Sequence, residues 1–159
     1  MTVFGAVGTR SAVALFRSEI EGVGDGWVGV DRALSRLSRQ LSEHAESAPY
    51  PHFAVALRDV AASLELDLRR VAARLADFGR NSEINGADTV SEGRSSWDRL
   101  RVSQEDLRAL LRQFGQLIIR WDDEEPTDAA LAREVRDHLL RHRAALGDLL
   151  ARADPHALN

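Results

Sequence analysis

Residues 53–78 read FAVALRDVAASLELDLRRVAARLADF and carry the clearest structural signal in the chain. The apolar residues of this stretch recur at alternating spacings of four and three, the 3.5-residue repeat of helices that pack side by side. Pro51 just before it and Gly79 just after it are typical of the start and the left-handed end of a helix. At 1.5 Å per residue this helix is about 40 Å long, so its partners must also be long. The repeat comprises Leu57, Ala61, Leu64, Leu68, Val71, Leu75 and Phe78.

Three other segments carry the same repeat. The helix predicted over residues 28–45 precedes a short break at residues 47–51, and a connection this short implies antiparallel neighbours. We expect a third helix from near Gln104 and a fourth that runs to about residue 153. The sequence therefore predicts an all-α, up-down antiparallel four-helix bundle. The repeats are Val30, Leu34, Leu37, Leu41 and His44; Leu107, Leu111, Phe114, Ile118 and Trp121; and Leu131, Val135, Leu139, His142, Leu146 and Leu149.

Polar residues mark the boundaries of the later helices. Residues 103–106, Ser-Gln-Glu-Asp, have the spacing of a capping box and predict the start of the third helix. Thr127 is the expected cap of the fourth helix. Residues 80–96 are polar and too long for a simple turn, and loops of this length are often functional or laid across the end of a bundle.

The first 26 residues differ from the rest and predict a separate N-terminal arm. Residues 11–20 fit a short extra amphipathic helix, and Gly22, Gly24 and Gly26 predict a flexible joint after it. We expect this arm to pack on the bundle or on another subunit. The predicted organisation is an arm over residues 1–26, a bundle over residues 27–153 and a frayed tail over residues 154–159.

Composition excludes several classes of function. The net charge of −4 and a sequence pI of about 5.7 provide no basic field for nucleic acid or an anionic membrane. The absence of cysteine excludes disulfides and thiolate chemistry. Residues 1–8 lack a basic n-region, Arg10 and Arg17 interrupt the apolar run that a signal peptide needs, and no segment has the roughly 20 apolar residues of a membrane span. We therefore expect a cytoplasmic protein.

All 21 basic residues are arginine, and the chain contains no lysine. The codon usage of a GC-rich bacterial genome explains this bias, and the abundance of Ala, Leu, Val, Asp and Gly agrees with it. Selection against lysine modification is the alternative interpretation. In either case arginine changes the surface, because it pairs with carboxylates in a planar, bidentate fashion.

Three histidines are candidates for a metal site because they lie on or beside the repeats. His138 and His142 are four residues apart on one helix face, and Glu134 extends that row. His44 continues the first repeat. A bundle core is a known setting for metal sites, although di-metal sites need inward glutamates that the second and third repeats lack. The alternatives are a transition metal bound by His142, His138 and His44, or no cofactor and partly buried histidines hydrogen-bonded to neighbours.

A second pattern involves the same histidines. Arginine followed four to six residues later by histidine is the signature of the all-helical HEPN ribonucleases, and His142 with Arg136 fits it. Arg39 with His44 and Arg133 with His138 also match, which shows that the pattern is common in an arginine-rich chain. A ribonuclease remains an alternative, disfavoured by the acidic balance.

The order of features resembles a group of uncharacterised bacterial ferritin-like four-helix proteins over residues 28–152. The resemblance rests on the Ala48 to Pro51 break, the Gly-Arg-Ser-Ser-Trp turn at residues 93–97, the Ser103 box and the inward His142. It implies the ferritin-like fold. Residues 113–116, Gln-Phe-Gly-Gln, and Leu139 stand where the group has glutamates, which implies that the metal chemistry is lost.

No phosphate loop or nucleophile setting is present, so the sequence favours a role without catalysis. The leading hypothesis is a helical bundle that binds a protein partner or assembles with itself, with neither nucleic acid nor membrane as partner. A ferritin-like metal-binding protein and a HEPN-like ribonuclease are the alternatives.

Overall fold

Each of the four repeats lies on a long helix. The computed structural model describes the backbone of residues 2–83 and 95–152 and the side chains of residues 22–83 and 95–152. Its helices are α1 (Thr2–Ser47), α2 (Pro51–Asp77), α3 (Ser96–Trp121) and α4 (Pro126–Arg152), and the described residues include no strand. The all-α four-helix prediction is confirmed. Most of the predicted 80–96 loop and the predicted tail lie outside the described residues.

Neighbouring helices in the bundle are all antiparallel. α1 and α4 each pack against both α2 and α3, so α1 lies diagonally opposite α4. His44 near the end of α1 contacts Ser96 at the start of α3, and Arg74 near the end of α2 contacts Asp128 at the start of α4. Phe78, just after α2, lies beside Gly24 of α1. The connection from α2 to α3 therefore joins opposite ends of the bundle.

The first helix is continuous, which corrects the predicted glycine joint. α1 runs from Thr2 to Ser47 through all three glycines, and the segment expected to be a separate short helix is its first part. A Cβ atom on Gly26 would lie 2.8 Å from Cζ2 of Trp121. The glycine thus allows Trp121 of α3 to pack directly against the backbone of α1, a packing role that the sequence alone does not distinguish from flexibility.

The end of α2 is as predicted. Gly79 has a φ of +69°, the left-handed conformation that glycine adopts without strain. The amide of Arg80 donates to the carbonyl of Leu75 at 3.0 Å, and the amide of Gly79 donates to that of Ala76 at 3.0 Å. These two bonds satisfy carbonyls that would otherwise be unpaired at the end of the helix.

Both predicted caps of the later helices are wrong. α3 begins two turns before the predicted box, and its cap is Ser95, whose Oγ accepts from the amide of Asp98 at 3.1 Å. Ser103 lies inside α3 and is buried. α4 begins at Pro126, whose missing amide suits a first helical position, and Thr127 is exposed in its first turn. The capping-box pattern is short enough to occur inside a helix.

The predicted repeats form one continuous core. Every member of the first, second and third repeats is buried except Phe78, which is half-buried, and in the fourth repeat Leu131 and His142 are half-buried. The largest fully buried side chains include Trp27 and Trp121, whose ring centroids are 4.9 Å apart. Burial of this apolar surface is the main term that holds the helices together.

Candidate functional site

The predicted histidine site lies where α4 faces α2. Nδ1 of His138 is 3.0 Å from each carboxylate oxygen of Asp67, which is buried on α2. A carboxylate in this position selects the tautomer in which Nδ1 carries hydrogen and donates. Burial raises the pKa of Asp67, while the hydrogen bond from His138 and the charge of Arg70 act in the opposite direction. Arg70 in turn pairs with Glu134.

His142 lies one turn beyond His138 on the same helix. Its Nε2 is buried and has no hydrogen-bond partner among the described residues. Burial, followed by the charges of His138 and Arg141, lowers the pKa of His142 to about 4. The imidazole is therefore neutral at pH 7 and contributes no charge to the interior.

His44 is in a different part of the molecule, between α1 and α3. Its Nε2 lies 3.3 Å from Oγ of Ser96, and its Nδ1 is buried without a partner among the described residues. Burial, followed by the charge of Arg99, lowers the pKa of His44 to about 4. His44 is thus a neutral core histidine at the end of the bundle.

A polar cluster lies next to His44 along the α1–α3 contact. Nε2 of Gln40 donates to Oγ of Ser103 at 2.8 Å and to Asp106 at 3.3 Å. Gln104, one residue on, donates to the carbonyl of Arg143 on α4 at 3.1 Å. The carbonyl oxygens of Gln40 and Gln104 are buried without a described partner. Apart from the Asp106 carboxylate, the cluster consists of amides and hydroxyls, which are weak ligands for transition metals.

The third polar cluster closes the other end of the bundle. Asp128, fully buried in the first turn of α4, accepts from Nε and Nη2 of Arg74 at 2.7 and 2.9 Å. Its Oδ1 also accepts from the indole N–H of Trp27 at 2.7 Å. Arg74 additionally bonds Asp77 and lies over the ring of Phe78. This carboxylate is fully occupied by structural partners.

The three candidate histidines do not converge. His138 faces α2 and His44 faces α3 from the diagonally opposite helix. In residues 22–83 and 95–152, no group of three or more His, Cys, Asp or Glu side chains is placed to hold a metal ion. The repeat reports which face of a helix is buried and not which helix lies opposite, so the sequence could not separate His44 from the other two.

Three buried carboxylates were not predicted from the sequence: Asp31, Asp67 and Asp128. Asp67 stands next to Leu68 of the second repeat and is 2% exposed, and His138 contacts it from α4. Asp31 and Asp128 were not singled out at all. One signal was available for Asp128: an acidic residue in the first turn after Pro126 is well placed for the helix dipole.

The structure separates one of the three arginine–histidine matches to the ribonuclease pattern, Arg133 with His138. Arg133 pairs with Asp122 at the α3–α4 connection, and His138 pairs with Asp67. These partners hold the two side chains of that match to different carboxylates.

None of the described helices is both long and apolar enough to cross a bilayer.

Comparison with solved structures identifies the fold class as ferritin-like. A variant of Mycobacterium smegmatis Dps1 superposes with a TM-score of 0.70 at 12% identity, covering 84% of this chain and 97% of that one. A Desulfovibrio desulfuricans bacterioferritin superposes with a TM-score of 0.62 at 12% identity, covering 81% of this chain and 82% of that one. No family model and no curated protein sequence matches this chain. The fold implied by the sequence resemblance is confirmed.

The bacterioferritin is described as carrying a diiron site, and the side chains that the structure of the present chain describes do not fit such a group. Di-metal sites in bundles need several inward carboxylates from facing helices. Of the carboxylates buried here, Asp67 is occupied by His138, Asp128 by Arg74 and Trp27, and Asp31 by Ser82 and the amide of Glu83.

Proposed function

We propose that this chain is a non-catalytic ferritin-like bundle that acts by self-assembly and has no di-metal centre. The observation that carries the proposal is on the outward face of α2. Val55 and Leu66 are 54% and 61% exposed there. They are eleven residues apart, which is three helical turns, so both point away from the core in the same direction.

Val55 and Leu66 share their face of α2 with the exposed Ala62. Single exposed apolar residues are ordinary on protein surfaces, whereas apolar residues grouped on one face mark contacts with other proteins. Ile119 on α3 is more exposed, at 82%, but the residues around it on that face are Arg112, Gln116 and Arg120. It therefore serves as a matched control for the α2 face.

The interior supports a structural role. Its buried carboxylates are paired with cations, hydroxyls or amides of the chain itself, and its histidines His44 and His142 are neutral at pH 7. Paired carboxylates of this kind fix how helices meet and are held by structural partners. In this proposal the functional contacts lie on the protein surface.

The test is gel filtration with light scattering of the full chain and two variants. Leu66→Glu places a charge in the α2 face and should convert the assembled species to monomer. Ile119→Glu makes the same change on α3 and should leave the mass unchanged. Equal masses for all three proteins, or a wild-type protein that is always monomeric, would exclude the proposal.

One observation favours a second candidate function, a mononuclear metal site at His138 and His142. Nε2 of His142 is a buried nitrogen without a described partner, and a neutral imidazole is a good transition-metal ligand. Two histidines and one already occupied carboxylate form an incomplete ligand set, which makes this the weaker candidate. Elemental analysis of the purified protein separates the metal-binding function from the metal-free one.

A further inference from the structure

α2 carries a second 3.5-residue repeat on the side opposite the core. It consists of six exposed residues, which we call the outer seam: Val55, Asp59, Ala62, Leu66, Arg69 and Ala73. Their spacings are four, three, four, three and four, the same alternation as the core repeat of this helix. A helix with two such seams is suited to pack against two sets of neighbours, and the described helices supply only one of them.

The outer seam is complementary to itself when it is reversed. Two copies of α2 placed antiparallel, with the level of residue 64 on a twofold axis, put Val55 opposite the partner's Ala73. They also put Ala62 opposite the partner's Leu66, a small residue against a large one. The charged pair follows the same rule, because Asp59 falls opposite the partner's Arg69. Such reciprocity is the requirement for an isologous twofold interface.

The two charged members of the seam are free to make this contact. Asp59 and Arg69 are both exposed, and neither forms an ion pair within the part of the chain that the structure describes. Arg70, on the flank of the seam, is in contrast already paired with Glu134. Ten residues separate Asp59 from Arg69 along the helix, about 15 Å, so they cannot pair with each other within one helix.

We propose that the outer seam is a homodimer interface in which two α2 helices pack antiparallel, with reciprocal Asp59–Arg69 ion pairs flanking the Ala62–Leu66 contacts. The occupant is a second copy of this chain, and charge complementarity under reversal is the reason. This inference rests on the proposed self-assembly and adds its partner, orientation and register.

Charge reversal tests the pairing. Asp59→Arg alone or Arg69→Asp alone creates two like-charge contacts in the homodimer, and each should raise the dimer Kd at least about tenfold. The double variant Asp59→Arg/Arg69→Asp restores opposite charges and should recover the wild-type Kd within about threefold. Asp137→Arg on α4 and Arg112→Asp on α3 make the same charge changes at exposed positions outside the seam and should have no effect.

Mixing the two single variants gives the most specific outcome. The Asp59→Arg chain presents two arginines and the Arg69→Asp chain two aspartates, so an equimolar mixture should form a heterodimer more tightly than either forms a homodimer. The chain has no cysteine, which allows an orientation test as well. Ala62→Cys mixed with Leu66→Cys should give a disulfide-linked dimer under mild oxidation, whereas Ala62→Cys mixed with Val55→Cys should not.

The possible results separate this inference from the proposed function. If the wild-type chain dimerises but charge reversal has no effect on Kd, the outer seam is wrong and self-assembly stands. If the wild-type chain is monomeric throughout, both fail. All the changed positions are exposed, so each variant should fold. Circular dichroism of each variant checks this.

Discussion

The indole N–H of Trp27 donates to Oδ1 of Asp128 at 2.7 Å, across 101 positions of sequence. The bond joins α1 to α4, which are diagonally opposite in the bundle. Arg74 from α2 binds the same carboxylate, and Trp121 from α3 packs on the Trp27 ring. All four helices thus meet around one buried aspartate, which fixes their arrangement at this end.

Replacing Asp128 should destabilise the fold strongly. Asp128→Ala leaves the Arg74 guanidinium and the Trp27 N–H without their buried acceptor, and the loss of one partner in a buried pair costs about 3–5 kcal/mol. Asp77→Ala is the matched control, because Asp77 is the exposed acid that Arg74 also binds. An exposed pair contributes less than about 1 kcal/mol. Urea denaturation measures both free energies of unfolding, and similar losses for the two variants would contradict this role of Asp128.

The glycines of α1 should respond differently to alanine. A Cβ atom on Gly26 would be 2.8 Å from Trp121 and 3.0 Å from Leu117, and overpacking of this kind costs about 1–3 kcal/mol. A Cβ atom on Gly22 meets nothing within 4 Å, so Gly22→Ala should stabilise the helix by about 0.5–1 kcal/mol. Thermal denaturation of both variants tests this. Stabilisation of both would show that Gly26 has no packing role.

The sequence was sufficient for the helices because burial on a long helix repeats. Leu57, Leu64 and Leu68 on α2 were predicted to be buried and are buried. The Ala48 to Pro51 break and the Gly79 end were also predicted, since proline and glycine act locally. The apolar repeats and these proline and glycine boundaries were therefore predicted correctly, whereas the caps at Ser103 and Thr127 were not.

Contacts between helices could not be predicted from the sequence. A triplet of glycines predicts a joint equally well whether or not Trp121 packs on it, and only the packing decides the matter. Asp67 is polar and flanks the core repeat, so its burial depends on His138, 71 positions away. The sequence left open whether the three histidines converge for the same reason, because the neighbours of His44 and His142 are set by helix arrangement.

Stability should fall as the pH decreases from about 6.5 to 4. Burial lowers the pKa of His44 and of His142 to about 4, from 6.5 in an unperturbed histidine. Between these values the unfolded chain binds protons that the folded chain does not, so acid favours unfolding by about 1–3 kcal/mol for each histidine. The folded state therefore has its full stability above pH 6.5, where both imidazoles are neutral in the folded and the unfolded chain. This contribution is lost as the pH falls toward 4.

The double variant His44→Gln/His142→Gln should show a flatter profile over this range, because it removes both titrating groups. His52→Gln, at an exposed position on α2, is the control and should leave the profile unchanged. Urea denaturation at half-unit pH intervals provides the measurement. If the wild-type free energy of unfolding varied with pH no more than that of the double variant, these imidazoles would be protonated in the folded state.

Protein purified without chelator or affinity tag should contain less than roughly a tenth of an equivalent of any transition metal. The reason is the ligand set: His138 is bound to Asp67, and His142 has no second protein ligand among the described residues. Elemental analysis by mass spectrometry gives the metal content. A near-stoichiometric metal that disappears in His142→Ala, while remaining in His52→Ala, would establish the second candidate function instead.

The central claim is that the outer face of α2 assembles this ferritin-like bundle. Sedimentation equilibrium of the full chain and of Leu66→Glu over a wide concentration range tests it most directly. We expect a wild-type mass of at least twice the 17.6 kDa chain and a variant that sediments as a monomer at the same concentrations. A wild-type protein of 17.6 kDa at every concentration, or a variant that associates as tightly as the wild type, would contradict it.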